Sequence, residues 1–347
     1  MVRHSPEKRS ISMKDVAALA GVSVGTVSNV LNSSARVSES TTKRVLAAID
    51  QLGWVPNESA RQLRTGYSQA IGLVVLDVAN PFFADVVLGA ENVLYGHGYS
   101  VYIGNSDQQP EREERLLRQF EQQKVRGVLL ASVGSAVEAA ARLRRSGIPV
   151  VMVDRAREND SCAVGCDDVE GGRLAVSHLI DMGHRNIAFV GGPLSLTQVR
   201  DRRIGAETAL AELGDAYQLL LMPTSAMASR PGVAAAAEIA ALPKDQRPTA
   251  VFAANDLLAI GLLQGFVAAG LRVPDDIALI GYDDIEFAAS SAVPLSSVHQ
   301  PRTEIGERAA TLLIDEIREI SEGKPHVHES VRLAPVLVPR ASTVIET

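Results

Sequence analysis

Two spacings of apolar residues divide this chain. Up to about residue 55 they recur every three or four positions, the period of a helix. From Ile71 onward they come in short unbroken runs. In MKDVAALA, Val16, Ala17, Leu19 and Ala20 share one broad helical face, and Gly21 stops the run. Ser12, three residues before Asp15, forms a capping-box-like start. Ser23 is placed to cap a second helix, in which Val27, Val30 and Leu31 recur at i, i+3 and i+4. Ser38 caps a third, carrying Val45, Ile49 and Leu52 ahead of Gly53. Three short helices with a glycine turn between the first two predict a helix-turn-helix unit. In WVPNESARQLRTGYSQ, Pro56 breaks the chain and Asn57 can cap a short helix to about Arg64. With few apolar residues, that helix is marginal alone and reads as a linker that folds on a partner.

Beyond it, IGLVVLDV, SVYIGN, GVLLAS, PVVMVD, CAVGCD, NIAFVGG, QLLLMP, AVFAAND and IALIGYD are Val/Ile/Leu runs without strict alternation. Buried parallel strands have that texture. Helical stretches such as FFADVVLGAENVLYGHG and EGGRLAVSHLIDMG lie between them, so the body is α/β and doubly wound. Nine or ten strands suit two lobes better than one sheet.

Composition adds a polarity to this plan. The chain has 347 residues, 46 % of them hydrophobic and 22 % charged, enough for sizeable cores. Residues 1–67 hold nine basic and five acidic residues, a net of +4, against a formal net charge of −7 for the whole chain. A basic head on an acidic body directs only the head toward a polyanion. No apolar run resembles a secretory signal or reaches the ~18–20 residues of a membrane span. Cys162 and Cys166 fall about 13 Å apart on one strand, too far for a disulfide, and read as core residues. A reducing cytoplasm fits these features.

GVSVG at 21–25 matches G-x-S-x-G, the nucleophile elbow of serine hydrolases. That elbow needs a strand before the serine. DVAALA, which precedes it, is a helix by its period, so Ser23 reads as a cap. Val24, Gly25, Ser28 and Asn29 then face outward. An exposed valine and a glycine are poor choices for a solvated helix face and suit one pressed into a groove.

MKDVAALAGVSVGTVSNVLN, followed by VSESTTKRVLAAIDQLGWVPNESARQL, resembles the head of the lactose/galactose repressor family. The resemblance continues through NPFFADVVLGAE, GHRNIAFVGGP, RPTAVFAANDLLAIGLL and GLRVPDDIALIGYDD to PLSSVHQP, nearly the whole chain. It implies a helix-turn-helix domain over 10–56, a hinge helix and linker over 57–68, and a two-lobed domain over 69–347. The two doubly wound lobes resemble a periplasmic binding protein, lobe 1 about 69–160 plus 298–325 and lobe 2 about 161–297 plus 326–347. It also implies a ligand-responsive repressor, not an enzyme, that binds a near-palindromic DNA operator as a homodimer or higher oligomer. Val24, Gly25 and Asn29 would then face the bases, with Asn29 the one amide reader and Val24 placed for a thymine methyl. Ser12, Ser23, Thr26, Ser28, Ser38 and Thr41 fit phosphate contacts and caps. Leu63 corresponds to a leucine that wedges into the minor groove, flanked by Asn57, Ala60 and Arg61. The alternative for this stretch is a flexible linker.

Doubly wound sheets bind ligands at the carboxyl ends of their strands. Asp77, Asp154 with Arg155, Asn255 and Asp283 sit at such ends, and Arg202 follows VGGPLSLTQ. Phe82, rather than Phe83, is placed toward the cleft. Gln300, in PLSSVHQP, completes the effector set. Carboxylates, an arginine and an aromatic face suit a sugar or polyol. Asp283 has the alternative of capping a turn, and Asp77 that of a structural role. SAMASRPG at 225–232 leaves one pocket wall undefined. His326 and His328 form H-x-H but read as surface histidines. No metal site, Walker loop or other cofactor motif is predicted. A transporter's sugar-binding protein would explain the body without the head, and a hydrolase would rest on Ser23 alone.

Overall fold

The computed structural model of the chain describes residues 11–32, 37–55, 66–134, 137–155, 160–211 and 218–344. The chain divides into two units, Met1–Ser68 and Gln69–Thr347. Asn57, Ala60, Arg61 and Leu63, expected in a hinge helix, lie outside the described residues.

In the first unit, the Asp15 carboxylate accepts from the Ser12 N–H at 2.8 Å and from its hydroxyl at 2.7 Å, fixing the start of α1 (Met13–Ala20). Gly21, at φ 66°, takes a left-handed turn that favours glycine and leads into α2 (Val24–Asn32). Helix α3 (Glu39–Leu52) begins at Ser38 and ends at Gly53, again left-handed. Val16, Val27 and Val45, one per helix, are fully buried, each contributing about 1.5–3 kcal/mol. Trp54, beyond α3, packs into the same core, a contact helical spacing does not announce. Leu19 is 46 % exposed, against expectation. Val16, Ala17 and Ala20 form the buried stripe of this short helix, and Leu19 falls about 60° outside it.

In the second unit, the nine apolar runs form β1 (Ala70–Val75), β2 (Ser100–Asn105), β3 (Gly127–Ala131), β4 (Val150–Val153), β5 (Ala163–Cys166), β6 (Asn186–Gly191), β7 (Gln218–Pro223), β8 (Ala250–Ala253) and β9 (Ala278–Ile280). Three short strands follow: β10 (Ser297–His299), β11 (Ser330–Leu333) and β12 (Val336–Val338). One parallel sheet has the order β11-β5-β4-β3-β1-β2 and the other β7-β6-β8-β9. Strands β1, β3, β4 and β8 are buried along their whole length, which is why their sequences do not alternate. Antiparallel β10 and β12 form a separate pair, with Val298 opposite Leu337.

The lobe boundaries differ from the sequence reading. Strand β5 pairs with β4, with Met152 opposite Ala163, so the first lobe extends to Cys166 rather than ending near 160. Strand β11 is its far edge, with Val331 opposite Val164, although residues from 326 onward were expected in the second lobe. Its half-exposed sequence SVRL has no apolar run to mark it as a strand.

Helices α4 (Pro81–Gly96), α5 (Pro110–Gln122), α6 (Val137–Arg145), α7 (Asp168–Asp181), α8 (Thr197–Ala211), α9 (Ser229–Ala241), α10 (Asp256–Ala268), α11 (Glu286–Ser290) and α12 (Arg302–Ser321) complete the unit. Three helix pairs cross with glycine on both partners. A Cβ on Gly89 of α4 would lie 2.1 Å from the Thr303 carbonyl oxygen of α12, and one on Gly306 would lie 2.0 Å from that of Val86. Gly172 of α7 and Gly205 of α8 meet the Arg202 and Val169 carbonyls in the same way, at 2.0 and 1.9 Å. Gly232 of α9 and Gly261 of α10 meet those of Leu258 and Ser229, at 2.4 and 2.0 Å. These are backbone-to-backbone contacts that no side chain can enter.

Candidate functional site

The carboxyl ends of β1, β4 and β9 and the first turns of α4 and α8 converge between the lobes. Asn80 caps α4, its side-chain oxygen accepting from the Phe82 N–H at 3.0 Å, and Pro81 takes the first helical position. That start places Phe82 and Phe83 edge to face, 4.9 Å between centroids. From α8, the Arg202 Nε donates to Asp168 at 2.8 Å and its Nη1 to the Ala254 carbonyl at 2.7 Å. Its guanidinium lies 3.8 Å from the Tyr282 ring centroid and 3.8 Å from an Asp283 oxygen. Gln198, one helical turn before Arg202, donates to Asp154 at 3.0 Å and so spans the two lobes. Gln300, fully buried, donates to Asp283 at 2.7 Å.

Asn80, Phe82, Phe83, Asp154, Gln198, Arg202, Met227 and Asp283 line one cavity. It encloses only about 10 Å³, about the room one water needs. A larger cavity of about 490 Å³ shares Asp154 and Gln198 with it and is otherwise walled by Arg155, Thr197, Asp167, Asp168 and their neighbours.

Charge in the cleft is uneven: Asp154, Asp168 and Asp283 all act on Arg202. Burial raises the Asp283 carboxyl to about 6, against the opposing pull of Arg202 and the Gln300 hydrogen bond. Burial, then the charges of Asp168 and Asp283, push Asp154 well above the carboxylate range. Burial disfavours the Arg202 cation, but Asp168, Tyr282, Asp283 and Asp154 together more than restore it. One oxygen of Asp154 and the side-chain oxygen of Gln300 are buried without a hydrogen-bond partner among the described residues. Such groups are costly unless something fills them.

Four of the expected effector residues, Phe82, Asp154, Arg202 and Asp283, therefore line this cavity, and Gln300 stands behind Asp283. The others sit elsewhere. Asp77 folds back to accept from the Ala79 N–H at 2.9 Å, making a turn outside the lining. Arg155 reaches the Gly134 carbonyl at 2.7 Å and the Thr197 hydroxyl at 3.1 Å, bridging the lobes along the larger cavity. Asn255 caps α10, accepting from the Leu258 N–H at 3.0 Å, and its amide donates to the Met227 carbonyl at 3.3 Å. Asn255 thus positions a wall residue without being one.

Comparison with known proteins places this geometry. The model for bacterial regulatory proteins of the lacI family matches residues 12–57, and that for a periplasmic binding protein-like domain matches residues 176–343. The ribose operon repressor of Escherichia coli (strain K12) is 37% identical over 338 residues, covering 95% of this chain and 99% of that one. The chain belongs to the lacI family. Among solved structures, the lac repressor dimer bound to operator and the anti-inducer ONPF superposes with a TM-score of 0.82 at 26% identity, covering 97% of this chain and 100% of that one. A lacI-family regulator from Enterococcus faecium with bound ribose gives 0.69 at 32% identity, covering 79% and 98%. This lacI-family protein is a ligand-responsive, DNA-binding transcriptional regulator and not an enzyme.

In its lacI-type head, the Ser23 hydroxyl accepts from the Thr26 N–H at 3.0 Å, so the GVSVG serine caps α2. Val24, Gly25 and Asn29 are exposed together, while Val27 and Val30 on the other face are buried. A Cβ at Gly25 would meet only the Ser23 hydroxyl oxygen, at 3.6 Å, so nothing within the described head requires glycine there. The Ser38 hydroxyl is exposed and bonded to Thr41, whereas that of Ser12 is committed to Asp15. Ser28 and Thr26 are half-buried.

Sequence reasoning missed Asn80, Phe83, Gln198 and Met227. Asn-Pro ahead of an apolar run is a helix-start signature that would have flagged Asn80. Gln198 lies four residues before Arg202, on the same helical face. Met227 lies in the wall segment SAMASRPG, where no pattern marked it.

Proposed function

We propose that this regulator is a repressor that holds a near-palindromic operator as a homodimer and answers to a sugar of ribose size bound in the interlobe cleft. The observation that carries the reading is Arg202, fixed by Asp168 and the Ala254 carbonyl, facing Asp154, Asp283 and Gln198 beside two phenylalanines. Carboxylates and a guanidinium make paired bonds to vicinal hydroxyls, and the aromatic rings take the C–H face. The relative named for a ribose operon and the neighbour with bound ribose point to the same class. The effector's unequal affinity for two lobe arrangements shifts operator affinity by that ratio.

At the DNA, Asn29 reads adenine, Val24 covers a thymine methyl and Gly25 lets the helix approach closely. Ser23, Thr26, Ser28, Ser38 and Thr41 meet phosphates. Leu63 enters the minor groove between Asn57, Ala60 and Arg61. Such a repressor works in the cytoplasm, beside the chromosome. The test is thermal unfolding of the full chain against ribose, other pentoses, hexoses and nucleobases. A pentose should raise Tm, and Arg202→Met should abolish that rise. A nucleobase that stabilises where no sugar does would overturn the assignment.

A further inference from the structure

Cys162, Glu316, His326 and His328 are separated by up to 166 positions in sequence, yet their ligand atoms all lie within 4.8 Å of one another. Cys162 stands at the amino end of β5, the end opposite Asp167 and Asp168 and the cleft. Glu316 comes from the last turns of α12, and both histidines from the segment leading into β11. The Cys162 Sγ is 3.1 Å from the His326 Nε2 and 3.9 Å from the His328 Nδ1, and that Nε2 is 3.9 Å from the Glu316 Oε2. His326, read from sequence as a surface histidine, has a side chain only 12 % exposed.

We propose that these four side chains form a zinc-binding site in the first lobe, independent of the effector cleft. Zinc takes sulfur at about 2.3 Å and imidazole nitrogen at about 2.0–2.1 Å, so a tetrahedron has S···N edges of about 3.6 Å. The two observed edges straddle that length. A thiolate, a carboxylate and two neutral imidazoles also balance the charge of a divalent ion in a half-buried place.

The surroundings are arranged as a metal site's are. His326 donates from Nδ1 to Glu319 at 2.7 Å, which leaves its Nε2 lone pair facing the cluster. The Glu329 N–H points at the Cys162 sulfur at 3.4 Å. The Glu316 Oε2, although buried, has no hydrogen-bond partner among the described residues. A thiol–imidazole hydrogen bond would account for the pair Cys162 and His326 alone. It gives no reason for Glu316 and His328 to converge on the same point. A mixed sulfur, nitrogen and oxygen donor set favours zinc over calcium or magnesium.

The experiment is titration of the EDTA-stripped full chain with Zn²⁺ and, as a spectroscopic probe, Co²⁺. The expected result is one equivalent bound, with thiolate-to-cobalt charge transfer, the intense visible bands of tetrahedral cobalt, and a rise in Tm with Zn²⁺. His328→Ala, at an exposed position that keeps the fold, should weaken binding by at least about tenfold. Cys162→Ser should remove the charge-transfer band. Absence of metal uptake by the wild-type chain overturns the site, as does undiminished binding by His328→Ala. Cobalt bound without a thiolate band, or with that band kept in Cys162→Ser, overturns it equally.

Discussion

Adding one methyl group at Gly205 tests how the helix crossing holds Arg202 in the cleft. The Cβ of Gly205→Ala would lie 1.9 Å from the Val169 carbonyl oxygen and 2.7 Å from the Arg173 nitrogen. Reaching an ordinary contact requires α8 to move off α7 by more than about 1 Å, a backbone shift of the kind that overpacking forces at about 1–3 kcal/mol. Alanine's better helix propensity returns about 1 kcal/mol. With the clash at the severe end, the net loss is about 2 kcal/mol, or roughly 4–8 °C in Tm for a unit of this size. The same shift carries Arg202 with it, because its carbonyl is the contact of Gly172 and its Nε sits 2.8 Å from Asp168. Sugar affinity should therefore fall along with stability. Urea unfolding and sugar titration of Gly205→Ala measure both, with Gly96→Ala as the control. A Cβ at Gly96 meets nothing within 4 Å, so that variant should be neutral or slightly stabilised. A Gly205→Ala chain as stable as the wild type would refute the packing argument. A destabilised chain with unchanged sugar affinity would refute the coupling to Arg202.

Three further outcomes are expected. Asn29→Ala should weaken operator binding by about 1–3 kcal/mol while leaving random DNA nearly unaffected, and equal loss on both in a gel shift would count against base reading. Leu63→Ala should lower operator affinity severalfold, and an affinity within twofold of wild type would remove the wedge. Asp283 has a folded value of about 6, above its ordinary 3.8, so its contribution to stability is full below about pH 4 and is lost as pH rises through 6. A sugar hydroxyl donating to Asp283 favours the carboxylate, so affinity should rise between pH 5 and 7. Calorimetry across that range should show the slope flattened in Asp283→Asn, and an unaltered slope would place the titration on another group.

How much of this was legible in the sequence follows the range of the forces involved. Local signals located the three head helices and the nine apolar strands, because Ser23, Gly21 and the Val/Ile/Leu runs act on their neighbours. The lobe division was misplaced because it depends on strand partners distant in sequence: β11 finds β5, with partners 167 positions apart, through a short, half-exposed segment. The cavity lining was legible at Asp154 and Asp283, which follow from strand-end topology. It was not at Asp77, whose carboxylate is satisfied two residues away, or at Met227, which is held by a distant amide. The Cys162 cluster was invisible for the same reason, since H-x-H spacing carries no information about a cysteine on another strand.

Helix α12 and strand β11 complete the first lobe although β6 to β9 of the second lobe lie in between. During synthesis, β1 to β5 leave the ribosome without the helix that crosses α4 at Gly89 and Gly306 or the strand that borders β5. At about 5–20 residues per second, the wait from β5 to β11 is roughly ten to thirty seconds. The head can form within that time, but the second lobe waits longer still, because β12 pairs with β10 and the Leu279 N–H donates to the Ser342 carbonyl. A chain cut short before residue 302 would have all three head helices and neither lobe complete, since α12, β11 and β12 all lie beyond the cut.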